Sequence, residues 1–221
     1  LANTVSLVEI RHNPKVKTLI EAANAQMNAI GYTEHGFRHA AMVSDRAREL
    51  ITALTNDEKQ AELAAVAGYL HDIGNAVNRN AHPETSGTIS FVLLNEMGTS
   101  MAEIAEIIGA IGNHEEDQGL PVSAISSALI IADKSDVHHS RVQNRNPLAF
   151  DIHDRVNFSV QRSDLRVNTT EKTISLELIT DEKSASVMEY FEIFLSRMLM
   201  CRRAADFFGY KFKLVINNVD M

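Results

Sequence analysis

The chain has 221 residues and a mass of 24.5 kDa, enough for one good core with a smaller piece attached. Hydrophobic residues at 45% and charged residues at 23% exclude disorder, and a net charge of −8 argues against binding a nucleic acid polymer or an anionic membrane over the whole surface. The single cysteine, Cys201, excludes an internal disulfide and suits a reducing compartment.

From the N-terminus to about residue 145 the pattern is helical. "NPKVKTLIEAANAQMNAIG" offers Asn13 as cap, Pro14 in the first turn and Gly31 as stop. "HGFRHAAMVSDRARELITAL" repeats apolar residues at helical spacing. Thr55 with Glu58 reads as a capping box opening a helix that runs to Ile73 and is closed by Gly74. Pro83 starts the next helix and Gly98 ends it. Ser100 with Glu103 caps a fifth, and Ser123 caps a sixth through "SAISSALIIADKSDV". After about residue 150 the character changes. "VNFSVQRSDLRVN" and "KTISLELIT" read as strands, Ser184 to Phe208 as a long helix, and "YKFKLVINN" as a last strand. The expectation is a mainly α protein, with a helical domain over 1–150 and a small α+β (ββαβ) subdomain over 151–221.

Ionisable residues fall on the inward faces of these helices. Ile104, Ile107, Ile108 and Ile111 form a stripe that His114 continues, and Ile125 and Leu129 lead at four-residue steps to Asp133. Ala64 and Ala67 precede His71 on one face, with Asp72 next in sequence. Gly68, about one turn below, leaves room for a close approach. His39 lies in the second helix. Any one inward histidine is ordinarily a core residue bonded to a carbonyl. Several imidazoles and two carboxylates converging from separate helices would be strongly destabilising without compensation. A divalent cation supplies it, because it takes such groups as ligands.

The order His39, then His71-Asp72, then Asp133, each on its own helix, resembles the HD-domain superfamily of metal-dependent phosphohydrolases. "HGFRHAAMVSDRA" is similar to the helix of the first histidine, "YLHDIGN" to the signature, and "LIIADKSD" to the distal aspartate segment. The resemblance implies an HD-domain helical bundle, with His39, His71, Asp72 and Asp133 as ligands of a first metal ion and Asp72 as a bridge to a second. "HPETSG" and "NHEEDQGLP" resemble segments of the HD-GYP branch and its binuclear relatives, which implies His82 and His114 as further metal ligands. Three positions depart from that branch. Asn113 stands in place of the first of two adjacent histidines, "GLP" replaces "GYP", and Asn75 replaces the lysine after HDIG. Cyclic-di-GMP hydrolysis is therefore not assigned.

The chemistry the resemblance implies is a divalent-metal-dependent phosphohydrolase, a phosphomonoesterase or phosphodiesterase. A metal-activated hydroxide would attack a nucleotide or other small phosphorylated molecule. One or two ions are expected, drawn from Fe, Mn, Zn, Co, Ni and Mg. Asp72 and Lys134 are the expected catalytic residues, with Arg79, Lys134 and Arg145 as cations for the phosphate oxygens and Arg141 nearby in sequence. Either of His138 and His139 could pass a proton to the leaving oxygen. Glu115, Glu116 and Asp117 read as loop carboxylates, one of which could replace the imidazole missing at Asn113. His35 belongs near the pocket rim. Two other readings stay open: a catalytically weak metal- and nucleotide-binding module with a sensing or regulatory role, and a zinc-stabilised scaffold.

No run approaches the roughly 18 apolar residues that span a bilayer, and no signal-peptide pattern is present. A cytoplasmic protein without a membrane partner is expected, although the chain opens on Leu1 rather than Met, as a trimmed or incomplete start would. The C-terminal piece either covers the pocket or pairs two copies into a homodimer, and the residues leave both open.

Overall fold

The computed structural model describes residues 5–116 and 119–221. Its helical part comprises α1 (Leu7–His12), α2 (Pro14–Ala29), α3 (Phe37–Thr55), α4 (Glu58–Leu70), α5 (His82–Glu96), α6 (Met101–Gly112) and α7 (Ala124–Lys134). Then come α8 (Ile152–Ser159), β1 (Val160–Asn168), β2 (Thr173–Thr180), α9 (Val187–Phe207), β3 (Lys211–Ile216) and β4 (Val219–Asp220). The chain is mainly α with a small C-terminal sheet, and no helix among the described residues is long and apolar enough to cross a membrane.

Several helix starts follow their expected caps. The side chains of Asn13, Ser100 and Ser123 accept from backbone N–H groups in the first turns of α2, α6 and α7. The start of α4 differs. Thr55 is the last residue of α3, its hydroxyl donating back to the Ile51 carbonyl at 2.9 Å, and Asp57 caps α4 by accepting from Gln60 N–H at 3.0 Å. The end of α4 differs too. It stops at Leu70, so His71 and Asp72 lie in a turn, and Ile73–Ala76 is a short 3-10 helix. Gly74 is not at positive φ and does not close α4. Its role is proximity: a Cβ there would lie 2.5 Å from His82 O and from Ser86 N, so only glycine lets this turn seat against the start of α5.

Helices α3 and α4 pack side by side, and α7 lies against α3, α4, α6 and α9. Val43, Leu50, Ile51, Leu70, Ile104, Ile107, Ile111, Leu129 and Ile131 fill the core between them. The sheet has the order β1-β2-β3-β4, with β1 and β2 antiparallel, β2 and β3 parallel, and β3 and β4 antiparallel. A parallel pair needs a crossover, and α9 is that crossover. On one side α9 places Tyr190, Phe194 and Cys201 against Val160, Leu176, Leu178 and Ile216 of the sheet. On the other it sends Met200, Ala204 and Ala205 into the helical core.

The segment expected to open the first strand is helical before Val160. Asp151 caps α8 by accepting from Asp154 N–H at 2.8 Å, and Val156 turns inward. β-branched residues favour strands only where a pleated surface receives them.

Candidate metal centre

Each helix delivers its polar residue near an end or on an inward face. His39 comes from the first turn of α3, His71 and Asp72 from the turn after α4, and His82 is the first residue of α5. His114 follows α6, and Asp133 is the penultimate residue of α7. The four histidines are all buried.

Asp72 lies between two histidine pairs. Its Oδ2 is 3.5 Å from His39 Nε2 and 3.4 Å from His71 Nε2, while its Oδ1 is 3.3 Å from His82 Nε2 and 3.9 Å from His114 Nε2. Asp133 Oδ1 closes the first pair, at 3.3 Å from His39 Nε2 and 3.6 Å from His71 Nε2. Within the pairs the Nε2 atoms are 3.2 Å apart (His39, His71) and 3.1 Å apart (His82, His114).

The outer nitrogens explain this arrangement. His71 Nδ1 donates to Gly68 O at 2.8 Å, His82 Nδ1 to Arg79 O at 3.0 Å and His114 Nδ1 to Ile111 O at 2.6 Å. A carbonyl only accepts, so Nδ1 carries a proton in each ring, and each ring when neutral presents a lone pair at Nε2. His39 Nδ1 donates to the carboxylate of Asp136 at 2.6 Å. With the rings neutral, four imidazole lone pairs and two carboxylates face one another, an all-acceptor set that a divalent ion satisfies. Among the described residues, His39/His71/Asp72, His71/His114/Asp133 and Asp72/His82/His114 each bring donor atoms within 4.8 Å of one another. The chemistry of this donor set fits one or two divalent ions.

Electrostatics follow the same division. Burial alone would lower His71, but Asp72 and Asp133 beside it push it up to about 10. Burial lowers His82 to about 4 and, together with His71 and His82, holds His114 well below the usual range. Burial opposes ionisation of Asp72 and Asp133. The histidines around Asp72, and Lys134 with the histidines around Asp133, nevertheless hold both carboxyls well below the ordinary range. A divalent ion entering the first pair must displace the proton that His71 carries near neutrality. Calorimetric titration with Mn²⁺ or Zn²⁺ at pH 7.5 is expected to show release of about one proton for the ion that enters the first pair and none for an ion at His82 and His114, read from buffers of different ionisation enthalpy, and affinity at the first pair is expected to fall as the pH falls. Heats independent of the buffer would contradict this.

Partners outside the cluster orient it. Asp136, whose carboxylate is fully buried, receives His39 Nδ1–H and an Arg38 N–H at 2.6 Å, with Arg141 Nε 3.6 Å away. Asn75 Nδ2 donates to Asp72 Oδ1 at 2.9 Å, so the residue in place of the family lysine steadies the central carboxylate. Asp136→Asn is expected to weaken metal binding by about 10- to 100-fold in a chelator competition assay, the usual cost of losing such a partner.

The expected cations separate. Lys134 is buried with Asp133 Oδ2 at 2.9 Å and Glu116 Oε2 at 3.2 Å. Burial disfavours its charge, but Asp133 and Glu116 raise its pKa further, so it stays protonated. Arg79 reaches Glu115 at 3.3 Å and stacks over Tyr32 at 5.6 Å. With His82 and Glu115 these two line a cavity of about 450 Å³. Arg145 is not brought to the cluster. It is exposed, because the chain leaves the bundle after Arg141. His138 and His139 turn to the backbone carbonyls of Gln161 and Val160. His35 does lie at the rim, with Nε2 4.0 Å from Asp72 Oδ2. Asn113 Nδ2 donates back to Gly109 O, whereas Glu115 Oε2 is 3.4 Å from His82 Nε2. Asp117 is outside the described residues.

A helical bundle with histidines and aspartates from five chain segments meeting in one buried cluster defines the class. The HD domain family profile matches residues 36–141, and over that stretch the chain is similar to the HD domain family. It is 25% identical over 202 residues to an uncharacterized protein of Methanocaldococcus jannaschii, covering 80% of this chain and 76% of that one. It is 32% identical over 102 residues to ribonuclease Y of Lawsonia intracellularis, covering 46% of this chain and 18% of that enzyme. The crystal structure of a predicted HD superfamily hydrolase from an uncultured Thermotogales bacterium aligns with a TM-score of 0.46 at 23% identity, covering 61% of this chain and 75% of that one.

Proposed function

We propose that the chain is a divalent-metal-dependent phosphohydrolase acting on a small phosphoester, with His39, His71, Asp72 and Asp133 holding one ion and Asp72, His82 and His114 a second. The observation that carries this reading is Asp72, whose two oxygens face separate histidine pairs. The match to a relative named as a ribonuclease supports phosphoester chemistry for this segment. Bound ions lower the pKa of a coordinated water toward neutrality and polarise the phosphoryl oxygens.

The residues of the chain supply position and charge. Asn75 and Lys134 hold Asp72 and Asp133 in their rotamers. Arg79, on the wall of the 450 Å³ cavity beside His82, faces the place where a phosphate would enter and binds its non-bridging oxygens. Lys134 acts through Asp133 and Glu116 rather than on the substrate, since its nearest charged neighbours are carboxylates.

The test strips metal from the protein with a chelator, reloads it with Mn²⁺, Fe²⁺, Co²⁺, Zn²⁺ or Mg²⁺, and follows p-nitrophenyl phosphate, bis(p-nitrophenyl) phosphate and a nucleotide panel. Turnover that disappears on stripping and returns with metal is expected. The second reading, a nucleotide-binding module with little turnover, draws on Asn113 turning away from the cluster. Tight nucleotide binding with no metal-dependent turnover would establish it instead.

A further inference from the structure

Helix α9 buries one side and leaves the other bare. Tyr190, Phe194, Cys201, Ala204 and Ala205 face the sheet and the helical core. Met188, Glu192, Leu195, Leu199, Arg202 and Asp206 are all exposed, the three apolar ones to 77%, 50% and 36%. Exposed leucines scattered singly need no explanation. These six residues are not scattered. They follow one another at steps of four, three, four, three and four residues, the spacing of a coiled-coil seam that stays on one face of a helix. From Met188 to Asp206 the seam runs about 27 Å at 1.5 Å per residue.

The charges on the seam identify what covers it. Glu192 lies three residues before Leu195, and Arg202 lies three residues after Leu199. Among the described residues neither forms an ion pair, whereas Glu189 and Arg197 meet Arg155 at 2.9 Å and Glu116 at 2.7 Å. The seam is therefore its own complement under a two-fold axis that passes between Leu195 and Leu199. Antiparallel to a second α9, Leu195 meets Leu199 of the second copy and Glu192 meets Arg202 of the second copy, each contact occurring twice. Met188 and Asp206 fall opposite each other at the two ends. A parallel pairing would set Glu192 on Glu192 and Arg202 on Arg202, and like charges disfavour it. The edge strand β1 offers no such surface over its first half, because its carbonyls at Val160, Gln161 and Ser163 already meet His139, His138 and Arg46.

We propose that this face of α9 binds a second copy of the chain, as an antiparallel two-fold helix pair centred between Leu195 and Leu199. The proposal rests on α9 alone and stands apart from the metal centre. One helix face of this length falls below the roughly 800 Å² per partner of a standard interface, so a dimer of micromolar Kd is expected.

The test is sedimentation equilibrium of the full chain at about 1 to 300 µM, which brackets such a Kd. A monomer–dimer equilibrium is expected. Leu199→Asp, which puts two carboxylates into the apolar centre, is expected to weaken it at least about tenfold. Glu192→Arg sets arginine on arginine and is expected to weaken it by at least about as much. Glu192→Arg combined with Arg202→Glu restores opposite charges, and its Kd is expected to return to within about threefold of the parent. All three positions are exposed, so circular dichroism and thermal melts of the variants should match the parent. A monomer at every concentration, a dimer indifferent to Leu199→Asp, or a double variant no tighter than Glu192→Arg alone overturns the proposal.

Discussion

Asp72→Ala is expected to lower metal-dependent phosphoester turnover by on the order of 10³-fold or more, beyond the 10- to 100-fold cost of losing a residue that only orients a ligand. Among the described residues Asp72 is the carboxylate with one oxygen facing each histidine pair, so its removal takes a donor from each proposed ion at once. It also removes the charge that, with Asp133, keeps His71 protonated. The metal-free variant is therefore expected to stay folded, with an ordinary buried histidine at 71. Metal content and steady-state kinetics of the same preparation check this. Activity retained in a variant carrying no metal would show that the cluster is structural.

Gly74→Ala has the largest expected effect on stability. Its Cβ would press on two backbone atoms of α5, His82 O and Ser86 N, at 2.5 Å, and on Ser86 Oγ at 2.8 Å. Backbone on both sides cannot rotate out of the way, so α5 must shift. Overpacking of this kind costs about 3 kcal/mol, roughly 6–12 °C in Tm for a chain of this length. The shift also moves His82 relative to Asp72, so the second ion should be lost before the first. Gly109→Ala is the control. Nothing lies within 4 Å of its Cβ, and alanine in a helix interior is expected to raise stability by up to about 1 kcal/mol. Thermal melts of the two variants side by side distinguish the effects. A Gly74→Ala protein as stable as the parent would contradict the close approach.

The inward histidines and aspartates were legible because helical periodicity carries across a short turn. His114 continues the stripe of Ile104, Ile107 and Ile111, and Asp133 continues that of Ile125 and Leu129. Asp136 was not legible for the complementary reason. It lies beyond the end of α7, where face counting stops, and only the fold brings it under His39. Its segment, "DKSD", holds a second aspartate three residues after the first, which is the signal a reader could have used. Thr55 does not cap α4 as expected because α3 runs through it, and the turn at Asn56, with φ of 56°, ends that helix and leaves Asp57 as the cap. Helix α8 has its cap in "DIHD", whereas the β-branched Val156 and Val160 favour a strand by propensity alone.

Anomalous diffraction from crystals of the full chain loaded with Mn²⁺ or Zn²⁺, collected on both sides of the metal edge, tests the central claim most directly. The account predicts two peaks flanking Asp72, one within ligand distance of His39, His71 and Asp133 and the other of His82 and His114. No peak in the cluster, or metal bound only at residues outside it, would contradict the account.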